Sequence, residues 1–187
     1  MAKLAVILFL MMAINIDEQD KFVADISFDS TSTYIAMSKI DGIHIKNIYD
    51  MQTILFISSP VQIIQSAWSD DDSQIAGVGT DEVIRIWDTT TGELLGTLES
   101  SLWVDRIEDI VWSGDRLYSL GLEGPFIIWD TTTYQIIQNF NTFAGQDLEI
   151  SPDGNKLAIA GFAGIGIRDV ANLDNGVLDE GISLSQN

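Results

Sequence analysis

Short runs of apolar residues alternate along most of the chain with clusters of Asp, Ser, Thr, Gly and Asn. The clearest run is Val83-Ile84-Arg85-Ile86-Trp87, which leads into Asp88-Thr89-Thr90-Thr91-Gly92. β-Branched and aromatic residues fit a pleated sheet, and an unbroken run of them is typical of a strand covered on both faces. An Asp carboxylate can bond back to the amides of the next turn, where Gly tolerates a positive φ. The pattern therefore predicts a buried strand that ends in an Asp-led turn.

This strand-and-turn unit recurs along the chain. Residues 126–133 repeat it closely, and 43–50 and 165–169 are weaker copies. Four Asp residues end the units, with gaps of 38, 42 and 39 residues: Asp50, Asp88, Asp130 and Asp169. A second marker, the residue that ends the predicted first strand of each repeat, has gaps of 40, 44 and 38: Phe28, Trp68, Trp112 and Ile150. A period near 40 in two markers indicates a repeat architecture.

Each repeat predicts four short strands joined by tight turns, so the expected fold class is all-β. We divide the chain into a leading segment, 1–21, and a repeat domain, 22–187. The four repeats are expected over about 22–57, 61–98, 107–140 and 147–179. The fourth repeat fades at 172–176, and we interpret 182–184 as the start of an unfinished element.

The Trp-Asp endings at Trp87-Asp88 and Trp129-Asp130 and the period near 40 resemble the WD40 repeat family. The resemblance covers about residues 22–179 and implies blades of a β-propeller, each a four-stranded antiparallel sheet. Rings of this family usually close with seven blades. Four repeats therefore imply an incomplete or open propeller.

The repeats depart from the family pattern in two ways. WD40 blades often carry a Gly-His pair whose His bonds to an Asp before the third strand, and no repeat here has that pair. We expect the acids at the matching turns, Asp41, Asp81 and Glu123, to lack a histidine partner. The aromatic residue that ends the third strand is also not kept in every repeat. It is Trp87 and Trp129 in the second and third repeats, but Tyr49 in the first and Arg168 in the fourth.

The leading segment has two interpretations. Lys3 precedes eleven apolar residues, Leu4 to Ile14, which is shorter than the roughly 20 residues that a membrane-spanning helix needs. A short apolar run after one positive residue fits a secretory signal peptide, although the cleavage site after Met11-Met12-Ala13 is poor. The alternative is a strand over Leu4–Leu10. The first interpretation implies a secreted or periplasmic protein, and the second implies a cytoplasmic one.

The net charge of the chain limits the classes of partner that it is expected to bind. Nine Lys and Arg residues against 28 Asp and Glu residues give a net charge of −19. This balance argues against binding nucleic acid, whose affinity depends on neutralising phosphates, and against docking on anionic lipid. The chain has no cysteine, which excludes disulfides but neither redox compartment.

No catalytic constellation is visible in the sequence. Nucleophilic catalysis needs a nucleophile held by a base, and the one histidine, His44, lies in a predicted strand. Asp70-Asp71-Asp72 could offer oxygen ligands to a hard cation, but a solvated hairpin turn is the better interpretation. We therefore predict no catalytic residues, no metal site and no cofactor.

What remains is a surface for partners. In WD40 proteins the turns before the first and third strands of each blade gather on one rim, and exposed aromatics on a rigid rim suit binding hot spots. The candidate rim residues are Trp103, Asp105, Arg106, Phe143, Asp81, Glu82, Glu123 and Phe162.

The resemblance therefore implies a non-enzymatic scaffold that binds other proteins or peptides. The alternative is an extracytoplasmic propeller enzyme, or a propeller that binds a small ligand or metal through acids around a central channel. An open ring would also leave two flanks for self-association. We expect these flanks to carry Phe28, Tyr34 and Ile45 at one end and Ile150, Ile159 and Ile167 at the other.

Overall fold

A computed structural model describes residues 22–100, 106–122, 124–140, 145–161, 164–174 and 182–184. The described chain is nearly all β and forms four four-stranded antiparallel sheets, which do not close into a barrel. In each sheet the strands follow one another in chain order, as in a meander. The all-β fold class predicted from the repeats is confirmed.

The sheets are built from short strands separated by tight turns. The strands of the first sheet are β1 (Asp25–Phe28), β2 (Tyr34–Lys39), β3 (Gly42–Asn47) and β4 (Thr53–Ser58). Those of the second are β5 (Ile63–Trp68), β6 (Gln74–Gly79), β7 (Ile84–Asp88) and β8 (Leu94–Leu98). Those of the third are β9 (Ile107–Ser113), β10 (Arg116–Gly121), β11 (Phe126–Asp130) and β12 (Gln135–Phe140).

The fourth sheet contains β13 (Asp147–Ile150), β14 (Lys156–Gly161), β15 (Gly164–Asp169) and β16 (Ile182–Leu184). A short helix, α1 (Val170–Asp174), follows β15. The fourth sheet therefore extends past the expected limit at 179, and residues 182–184 are its outer strand rather than the start of an unfinished element. Within the described ranges, no helix has the length and apolar character needed to cross a membrane.

The Asp-led turns form as the sequence predicts. Asp88 Oδ1 accepts the backbone N–H groups of Thr90 and Thr91 at 2.8 and 2.7 Å. These bonds favour the ionised carboxylate and lower the pKa of Asp88. Gly92 has a φ of +74° and its N–H bonds to the Asp88 carbonyl, which completes the turn. Asp130 makes the same two amide contacts in the third sheet.

The first repeat aligns differently from the expectation. The pairing of β2 with β3 places Lys46 opposite Ile35, where the second sheet has Trp87 opposite Ile75. Asn47 then takes the place of Asp88, and its side-chain oxygen accepts the Tyr49 N–H at 2.9 Å. Matching Tyr49-Asp50 to Trp87-Asp88 was therefore wrong, because the strand register aligns Lys46-Asn47 with them and the Asn47 amide oxygen caps the turn.

Among the described residues, three apolar clusters hold the sheets together, one at each junction. Trp87 packs with residues of the first sheet such as Ile43 and Ile45. Trp129 lies in a cluster shared by the second and third sheets, and Tyr118 in one shared by the third and fourth. Trp87 and Trp129 are 4% and 2% exposed, which confirms that both are buried between blades.

Polar side chains also link neighbouring sheets, and they occupy one repeated position. This position lies three residues before the repeat markers Phe28, Trp68, Trp112 and Ile150 in the first strand of each sheet, and is held by Asp25, Gln65, Asp109 and Asp147. Asp25 accepts the Ser66 N–H at 3.0 Å, and Asp109 accepts the Leu148 N–H at 2.8 Å. Gln65 Nε2 donates to the Glu108 carbonyl at 3.0 Å. Asp147, the equivalent residue in the fourth sheet, is exposed.

Replacing Asp109 by alanine should lower the free energy of unfolding by about 2–3 kcal/mol, because buried backbone donors lose a charged acceptor. Besides Leu148, the Ile110 N–H donates to this carboxylate at 2.9 Å. Asp147→Ala is the matched control, since it removes the same side chain at the same repeat position, where it is exposed. Equal denaturation midpoints for the two variants would contradict the linking role of Asp109.

The turn at Asp70-Asp71-Asp72 joins three sheets rather than being merely solvated. Asp71 caps its own turn through Ser69 and Ser73, and their hydrogen bonds lower its pKa. Asp70 Oδ2 accepts the Gly114 N–H of the third sheet at 2.8 Å. Asp72 Oδ1 accepts the Ser30 N–H of the first sheet at 2.8 Å.

The expected flank residues are only partly right. Ile45 and Ile159 are buried, because their position in the strand alternation turns them towards the second and third sheets. Tyr34 and Ile150 also pack against these inner clusters. Of the residues named in advance, Phe28 and Ile167 are the exposed ones.

Candidate functional site

The rim end of the second and third sheets brings together three of the predicted residues. Asp81 and Glu82 lie in the connection between β6 and β7, and Arg106 immediately precedes β9. Beyond these, Trp103, Asp105, Glu123, Phe143 and Phe162 lie outside the described residues, so their place on the rim stays a prediction.

A cavity of about 190 Å³ opens between the two sheets at this end, and we call it the rim cavity. Its walls come from both sheets, with Val83 and Leu98 from the second and Ile107 and Ile127 from the third. Asp81, Glu82 and Glu99 also line it. The rim cavity therefore combines an apolar interior with carboxylates.

Glu82 fixes one wall of the rim cavity. Its φ of +61° lies in the left-handed region, which is uncommon for a residue with a side chain. Its carboxylate Oε2 accepts the Ile107 N–H across the junction at 2.7 Å. The contact joins the β6–β7 connection to the start of β9, so the spacing of the two sheets is fixed at the cavity.

Asp81 is held by Arg85 from the next strand. Arg85 Nη2 lies 2.7 Å from Asp81 Oδ2, and Nη1 lies 3.0 Å from Oδ1, a bidentate pair. The Arg85 guanidinium keeps the pKa of Asp81 below its usual range. The two parallel hydrogen bonds from the Arg85 guanidinium fix the direction of the Asp81 carboxylate. They therefore also restrain the connection between β6 and β7.

The first sheet holds the acid of the same turn in a different way. His44 Nε2 lies 3.0 Å from Asp41 Oδ1, and the imidazole packs against Phe56 with ring centroids 4.6 Å apart. Asp41 therefore does have a histidine partner, contrary to the expectation. This histidine comes from β3 of the same hairpin and not from a Gly-His pair before the first strand.

Arg106 contributes to the rim but not to the lining of the cavity. Its Nε lies 2.9 Å from Glu108 Oε1, and its carbonyl accepts the Leu122 N–H. The three described candidates thus separate into two that line the cavity and one that is paired beside it.

The inner strands of all four sheets line a second cavity, a central cleft of about 490 Å³. Its lining is mostly apolar and includes Phe28, Ala67, Trp112 and Ile150. Glu149 is the one carboxylate among the residues of the described chain that line it. The described ranges also hold no group of three or more acids and histidines placed to bind a metal ion. Among the described residues, several acids therefore do not converge on the cleft.

Comparison with known proteins agrees with the repeat pattern. The chain is similar to the WD repeat-containing protein WDS homolog of Arabidopsis thaliana, with 27% identity over 143 residues. The match covers 73% of this chain but 26% of the relative, so the chain spans about a quarter of that protein's length. No family model matches the chain. This distant relative and the four antiparallel sheets fit a WD40-like propeller.

Several important residues were missed by sequence reasoning. The linking residues Asp25, Gln65 and Asp109 share the spacing of the strand ends, so the period itself could have identified them. Ser119, which lines the rim cavity, carries no local signal. It joins Glu99 in the lining only because the second and third sheets pack side by side.

Proposed function

We propose that this protein is a non-enzymatic interaction scaffold built of WD40-like blades, which binds other proteins or peptides through the rim of its second and third sheets. The rim cavity is the observation that carries this proposal. It is a concave site with a few placed polar groups, a form that can receive an anchor side chain of a partner protein.

The surroundings of the rim cavity support this role. Glu82 bridges the two sheets, and Arg85 restrains Asp81, so the site exists before a partner arrives. A preformed surface loses less conformational entropy on binding, which raises affinity. The distant relative is a WD repeat-containing protein by name, which also supports a scaffold.

A pair of photo-crosslinking variants tests the proposal. Thr80 is exposed beside the rim cavity, and Thr90 is exposed at the opposite end of the same sheet. Each is replaced in turn by p-benzoylphenylalanine, and the full chain is irradiated in cells of its source. We expect a discrete protein to be crosslinked from position 80 and not from 90, and the purified pair to bind saturably. Identical products from both positions, or none from either, would contradict a rim-based scaffold.

A further inference from the structure

The mouth of the rim cavity is negatively charged. Asp81, Glu82 and Glu99 line it, and Arg85 pairs with Asp81. Three carboxylates against one guanidinium leave an excess of two negative charges at the mouth. Glu99 is exposed to solvent, so it is accessible to a partner. The mouth has the same sign as the whole chain, whose net charge is −19.

Buried apolar side chains form much of the lining of the rim cavity. Leu98, Ile107, Ile127 and Trp129 are all buried and line its depth. The Ser119 hydroxyl also lines it and accepts the Trp129 indole N–H at 2.8 Å. A cationic head group placed beside Ile127 and Trp129 would lose hydration there, which is unfavourable. An apolar side chain would lose no such hydration there.

We infer that the rim cavity binds a short segment of a partner protein in which one apolar side chain is flanked by arginine or lysine. This inference rests on the proposed scaffold function and adds the chemistry of the partner. The apolar side chain enters between the second and third sheets and covers Ile107 and Ile127. The flanking cations stay at the mouth, beside Glu82 and Glu99, where both charges remain partly hydrated.

The two parts of this recognition have different effects. A buried apolar anchor supplies affinity, because the centre of an interface carries most of the binding energy. The cations at the mouth supply the rate of association and its dependence on salt. A partner with acidic residues beside the same anchor would be repelled by the mouth and by the net charge of the chain.

Peptide binding to the full chain tests the inference. The probe is a fluorescein-labelled peptide, Arg-Lys-Leu-Lys-Arg, measured by fluorescence anisotropy. Peptides with serine for leucine, or glutamate for the four basic residues, are the comparison. Glu99→Lys reverses one charge at the mouth, and Glu93→Lys makes the same change at the opposite end of the second sheet, where Glu93 is also exposed. Val83→Phe fills the cavity from its wall, and thermal unfolding verifies that each variant is folded.

We expect the parent to bind the probe about tenfold more tightly than the serine peptide, and binding to weaken as salt is added. Glu99→Lys and Val83→Phe should each weaken binding about tenfold, whereas Glu93→Lys should bind like the parent. An equal loss of affinity for the probe in Glu93→Lys and Glu99→Lys would show non-specific charge attraction and overturn the inference. Equal affinity for the leucine and serine peptides would also overturn it. If a partner is still crosslinked from position 80 in either case, the scaffold proposal stands and only the partner chemistry fails.

Discussion

Replacing Trp129 by alanine should lower the free energy of unfolding by roughly 3–5 kcal/mol, through lost apolar contact and the cavity left behind. The indole is 2% exposed and packs in the cluster between the second and third sheets. Its N–H also donates to the buried Ser119 hydroxyl, which would lose this donor in the variant. Trp87→Ala should have a similar effect at the junction of the first and second sheets, where Trp87 is 4% exposed.

Tyr49→Ala is the control for this pair, because Tyr49 precedes an Asp as Trp87 and Trp129 do. In the structure Tyr49 lies in a turn and is 81% exposed, so its removal should change the free energy of unfolding by less than about 0.5 kcal/mol. Chemical denaturation of the parent and the three variants measures these differences. Unchanged midpoints for the tryptophan variants would show that the junction clusters do not hold the sheets together.

The chain should self-associate as salt is added, because the fourth sheet exposes an apolar face. Its residues Ile165 and Ile167 are 46% and 36% exposed. Ala158 lies opposite Ile167 in the fourth sheet, as Ala76 lies opposite Ile86 in the second. In the second sheet this Ala–Ile pair is buried against the third sheet. The exposed part of the fourth sheet at Ile165 and Ile167 thus has the composition that elsewhere packs against a neighbour.

Charge opposes this association. The net charge of −19 repels a second copy, and raising salt from about 0.01 to 1 M shortens the Debye length from about 30 to 3 Å. The apparent mass in light scattering should therefore rise with salt, whereas Ile167→Lys should stay monomeric throughout. Leu95→Lys, at an exposed position on the outer strand of the second sheet, should behave like the parent. A parent that is monomeric at every salt concentration would mean that this face is not available for self-association.

The end of the sheet at which a turn lies could be predicted from sequence, because turns that follow a repeated strand pattern fall at the same end of every sheet. Asp81, Glu82 and Arg106 were assigned to such turns, and in the structure Glu82 bonds to the Ile107 N–H next to Arg106, whereas their role in binding stays a prediction. The cavity beside them was not predictable. Glu99 follows β8 of the second sheet and Ser119 lies in β10 of the third, and nothing local to either residue indicates that the two line one cavity.

Local chemistry was enough to predict the strands, the Asp-led turns and the period, because each depends on residues a few positions apart. Side-chain alternation along a strand and the Asp88 cap are examples. Tertiary structure alone decided what depends on how strands pair within a sheet and how the sheets pack together. It put Lys46 and Asn47, rather than Tyr49 and Asp50, in line with Trp87 and Asp88, turned Ile45 and Ile159 inwards, and made β16 part of the fourth sheet. Short strands leave several registers and faces almost equal in local energy, and burial against the neighbouring sheet selects one of them.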